Sequence, residues 1–89
     1  DNSMEFDKIV LQAFLEKQLQ LFPEKVAETE EEAADFLDEC MAVVVNSVKE
    51  VWEYFDEAGL DVEEYDEESI LEAEEVFEIG DGRYLILEA

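Results

Sequence analysis

Cys40-Met41-Ala42-Val43-Val44-Val45-Asn46-Ser47 decides the architecture, because it reads either as the middle of a long helix or as a strand between two helices. Around it, Ala34, Leu37, Met41, Val44, Val48, Val51, Phe55 and Ala58 recur at alternating steps of three and four, the seam of a helix that packs on another helix. The spacing predicts one helix over 30–58, continuous or kinked at Asn46, with Gly59 as its stop. Such a helix is about 43 Å long, more than the ~30 Å diameter of a small domain, so it either bends or projects. The competing reading starts a new helix at the Ser47/Glu50 capping box and leaves the β-branched run as a buried strand over 40–45. The undisturbed heptad phase through Asn46, and the lack of turn residues between Asp38 and Met41, favour the helix.

Upstream, Phe6, Ile9, Val10, Ala13 and Phe14 follow helical spacing over 5–22, and Leu11, Leu15, Leu19, Leu21 and Phe22 widen the stripe to more than one side. Pro23 ends that helix and Thr29 with Glu32 caps the next. Downstream, Asp66 caps a short third helix through Ala73. Val76, Phe77 and Ile79, then Gly80-Asp81-Gly82, then Tyr84 to Leu87 read as a β-hairpin. The expected fold class is α+β and mainly helical: an antiparallel helical hairpin, a short third helix and a C-terminal β-hairpin, or a βαββ-type arrangement if 40–45 is a strand. The expected core holds Phe6, Val10, Phe14, Leu37, Met41, Val44, Val48, Val51, Phe55 and Ile86. One domain is expected over 4–89, with Asp1 to Ser3 set apart as a remnant preceding Met4.

Charge is the other dominant feature: 28 acids face five lysines and arginines, a net of -23 on 89 residues, yet 48% of the chain is apolar and 11% aromatic. Disordered acidic tails lack those apolar side chains, so this chain folds despite its self-repulsion. No apolar run is long enough to span a bilayer, and one cysteine with no partner suits a reducing compartment, so a cytoplasmic location is expected. Without clustered lysine or arginine, direct nucleic-acid binding is excluded.

Chemistry-bearing motifs are scarce. There is no histidine and no phosphate loop, and Cys40 stands beside Asp38 and Glu39, which oppose a thiolate and suit a structural thiol. Zinc would have one thiol and carboxylates only. An EF-hand starting at Asp56 ends correctly on Glu67 but has Ala58, Leu60 and Asp61 at its third, fifth and sixth positions; one starting at Asp61 fails at Tyr65 and Asp66. Loose oxygen ligation of a divalent cation by Asp61 to Glu68 is the reading left for metals, and no cofactor is expected. Paired-carboxylate hydrolysis ranks behind it, because any two of so many acids ordinarily form a solvated face.

A non-enzymatic interaction module is the preferred functional class, its partner either a basic protein or a second copy of the chain. In the sharper forms the acidic surface imitates nucleic acid in a basic cleft or covers a cationic protein. The candidate interaction surface comprises Leu11, Leu15, Leu19 and Phe22, left over on the first helix, with Tyr54, Asp81 and Arg83. The segments Glu30 to Cys40 and Asp81-Gly82-Arg83-Tyr84-Leu85-Ile86 resemble small acidic bacterial proteins of anaerobic Gram-positive species without assigned function; the resemblance implies a bacterial cytoplasmic protein and transfers no site residue.

Overall fold

The computed structural model describes residues 6–87. Its helices are α1 (Lys8–Lys17), continued by a 3-10 turn over Gln18–Gln20, α2 (Glu30–Glu39), α3 (Val48–Glu57) and α4 (Glu67–Leu71). Its strands are β1 (Val43–Val45), β2 (Val76–Glu78) and β3 (Tyr84–Ile86), and a second 3-10 turn covers Val62–Glu64. The fold is α+β and mainly helical, with the expected hairpin formed by β2 and β3. The residues set apart before Met4, and Glu5, lie outside the described residues; the expected first helix over 5–22 is shorter, because Asp7 caps α1 at Lys8 and the 3-10 turn ends at Gln20.

A single helix over 30–58 is corrected by the structure: the chain leaves α2 after Glu39, forms β1 and re-enters α3 at Val48. The exit is a Schellman turn in which the Ala42 amide donates to Leu37 O at 3.0 Å and the Met41 amide to Asp38 O at 3.1 Å. Met41 sits at the left-handed position, φ 58°, and is 83% exposed, so its expected place in the core is also corrected. The end of α3 repeats this geometry, with Leu60 donating to Phe55 O and Gly59 to Asp56 O. The helix starts match as well. Thr29 Oγ1 accepts from the Glu32 amide and Ser47 Oγ from the Glu50 amide, while each glutamate reaches back to the amide before the cap, at Glu28 or Asn46.

The sheet explains why Val43, Val44 and Val45 are all apolar. Strand order is β1-β3-β2, antiparallel throughout, with Val44 opposite Leu85 and Leu85 opposite Phe77. Side chains alternate between faces along each strand, so Val44, Leu85 and Phe77 point to one side and Val43, Val45, Ile86 and Val76 to the other. The first face packs with Val10, Phe14, Ala33 and Leu37 of α1 and α2. The second packs with Val51, Phe55 and Ile70 of α3 and α4, and with Val62. Helices therefore cover both faces of the sheet, and alternation of apolar with polar residues is lost, as in any strand buried on both sides. Of the expected core, Val10, Phe14, Leu37, Val51, Phe55 and Ile86 are buried, while Phe6, Val44 and Val48 are half-buried against it.

Two glutamines bind these layers together. Gln18 is the one buried polar side chain among the described residues. Its Nε2 donates to Leu15 O and Ala27 O, and its Oε1 accepts from the Val26 and Ala27 amides at 2.7 and 3.1 Å, which fixes the loop between α1 and α2. Gln20 Nε2 donates to Glu74 O and Val76 O, and Lys17 Nζ donates to Glu78 O at 2.6 Å. Those carbonyls belong to alternate residues and line the outer side of β2, whose inner side pairs with β3; the end of α1 thus covers this sheet edge.

Candidate functional site

Of the residues expected to form an interaction surface, Asp81 and Arg83 are engaged internally. The hairpin loop brings the Arg83 guanidinium over Asp81, with Nη2 2.8 Å and Nε 3.0 Å from Oδ2, and its Nη1 lies 2.9 Å from Asp7 Oδ2. Asp7 is also the N-cap of α1, accepting the Val10 amide at 3.0 Å. Arg83 therefore staples the hairpin tip to the start of α1, and its hydrogen bonds hold both carboxyls below the usual aspartate range. The same carboxylates push the guanidinium pKa further up, so it stays charged at any pH at which the protein is folded.

The apolar members of the expected surface divide between the two cores. Leu11 is buried and Leu15 and Phe22 pack at the edge of the first core, Phe22 with its ring edge-on to Phe36 at 5.4 Å, while Leu19 is exposed. Tyr54 lies on α3 in the second core, its ring edge-on to Phe55 at 5.6 Å.

Sequence reasoning missed a groove of about 510 Å³ between the end of α3 and α4. Phe55, Ile70 and Ala73 contribute its apolar floor, Leu60 and Tyr65 stand over it, and Glu72 and Glu74 are on its margin. Leu60 is placed there by the turn at Gly59, and Tyr65 closes the 3-10 turn that follows, its amide donating to Val62 O. Both are 39% exposed, and they stand together on one groove rather than scattered singly over the surface. The available signal was their isolation: Leu60 and Tyr65 are the two large side chains, apart from the buried Val62, in the acidic stretch from Asp61 to Glu68 and its approach.

Among the described residues no group of three acidic or thiol side chains converges to hold a metal ion, and no carboxylate is buried. The carboxyls whose pKa moves, Asp7, Asp66 and Asp81, all move down, opposite to the shift a general acid needs near neutrality. Asp66 does so because its side chain accepts from the Ser69 hydroxyl and amide at the start of α4. Burial, and secondarily the charge of Glu39, pushes the Cys40 thiol up and away from the nucleophilic thiolate.

Among the described residues no helix is long and apolar enough to cross a membrane. No family model matches the chain, and neither a curated protein nor a solved structure matches it significantly.

Proposed function

We propose that the chain is a non-catalytic interaction module whose carboxylate surface receives a basic protein. The observation that carries this reading is electrostatic: of 28 acids in the sequence, ion pairs among the described residues involve Asp7 and Asp81 alone, both with Arg83. No other carboxylate among the described residues is neutralised by an ion pair. Between Lys49 and Arg83 the sequence has no basic residue at all, so α3 beyond Lys49, α4 and the loop joining them carry one sign of charge. A surface of that kind raises the local concentration of a cationic partner and speeds encounter at low salt. A basic protein gains by releasing screening cations from it, and an acidic one is repelled.

Fluorescence anisotropy with a labelled lysine- and arginine-rich peptide, set against an acidic peptide of the same length, tests the proposal. Binding of the basic peptide at about 10 mM salt, weakening steeply towards about 0.5 M, is the expected result, since the Debye length shrinks from ~30 Å to a few ångströms over that range. Failure of the basic peptide to bind at the low-salt end overturns it and leaves solubility as the role of the charge.

A further inference from the structure

We infer that the groove between α3 and α4 is the point at which such a partner is gripped, by seating one apolar side chain of a lysine- or arginine-rich segment. This rests on the acidic-module reading above and gives it a location. Long-range charge alone attracts any polycation to any part of the surface; the groove adds a short-range element that discriminates among them.

Leu60 and Tyr65 are held outward by backbone geometry rather than by packing. Leu60 follows the left-handed Gly59 in the turn that ends α3, its amide bonded to Phe55 O at 3.0 Å. Tyr65 leaves its 3-10 turn in an extended conformation, immediately before the Asp66 cap of α4. An apolar side chain entering from outside would cover both and rest on Ile70 below them.

Charge complementarity selects the rest of the occupant. Glu72 and Glu74 are exposed beside the groove, and Asp61, Glu63, Glu64, Asp66 and Glu68 are exposed along the approach to it. A neutral apolar peptide would leave these carboxylates without partners at its flanks. A basic segment places cations among them, and a guanidinium next to the anchor can stack on the exposed Tyr65 ring. The occupant is therefore an extended or helical basic segment with an aromatic or aliphatic anchor, not a polycation of lysine and arginine alone.

Two labelled peptides of identical lysine and arginine content, one with a central phenylalanine and one with serine in its place, separate the two proposals. On the intact protein the phenylalanine peptide is expected to bind about tenfold or more tightly, the scale of burying one such side chain. Amide NMR shifts caused by that peptide but not by the serine peptide are expected at Leu60, Tyr65 and Ala73. A Leu60→Ser/Tyr65→Ser variant should bind both peptides equally. Equal affinity of the two peptides for the unmodified protein, or anchor-dependent shifts located elsewhere, overturns the groove assignment while leaving the acidic module standing. Failure of both peptides to bind at low salt removes both readings.

Discussion

Met41 and Gly59 occupy the same position, one residue beyond the C-cap of a ten-residue helix, and both adopt positive φ, 58° and 96°. The flanking hydrogen bonds are also equivalent, so the two helices end in one backbone geometry. Glycine adopts it freely, whereas an L side chain meets the following carbonyl and is strained there.

Met41→Gly is expected to stabilise the protein by about 0.5–1 kcal/mol, the left-handed strain relieved less the extra chain entropy of glycine. No packing is lost, because the Met41 side chain is mostly exposed. Gly59→Ala should destabilise by about 1 kcal/mol through strain alone, since a Cβ at Gly59 meets no atom within 4 Å. Urea midpoints moving in opposite directions with unchanged slopes would verify the pair.

Gln18→Leu removes a side chain that satisfies buried backbone groups of Ala27 in both directions. Leaving that amide and carbonyl unpaired should cost about 2–3 kcal/mol, seen as a melting temperature lower by about 10 °C or more. A smaller loss than for surface glutamines such as Gln12 would show that water replaces these bonds.

The staple at Arg83 predicts a direction of acid sensitivity. Asp7 has a folded-state pKa below its unfolded value of about 3.9, first because of the Arg83 hydrogen bond and next because of the Val10 amide. The unfolded chain therefore takes up this proton first as pH falls, so the contribution is complete above about pH 5 and fades through and beneath pH 4. Asp7→Asn keeps the cap and removes the ion pair. Its melting temperature should fall less steeply than that of the unmodified protein between about pH 5 and pH 2, and parallel curves would show the pair to be energetically silent.

Salt should stabilise the fold. With a net charge of -23 and ion pairs confined to Arg83 among the described residues, repulsion between surface carboxylates outweighs attraction. Raising sodium chloride from about 10 mM to about 0.5 M shortens the screening length and should raise the melting temperature, as followed by circular dichroism at 222 nm (~helical signal). A flat series would mean that the charges are already too well separated to interact.

Local signals made much of this architecture legible. Thr29, Ser47 and Asp66 begin helices as their side-chain oxygens dictate, and the glycines around Asp81 turn the hairpin. Each of these signals acts within a few residues, so it is readable without the rest of the molecule. The acidic surface is likewise a property of composition. Val43 to Val45 are different, because their apolar run suits a buried helix seam and a strand covered on both faces equally well. Only the arrival of β3 beside them, about forty residues later in the chain and with α1–α2 and α3–α4 on opposite sides, decided for the strand. Met41 deepened the ambiguity by standing where glycine would have announced a helix end. The groove was hidden for the same reason: Leu60 and Tyr65 are fixed locally, but the floor beneath them exists only once α4 packs on α3. Backbone conformation at caps and turns follows from neighbouring residues, whereas burial depends on which surfaces meet in three dimensions, and that was decided by tertiary packing.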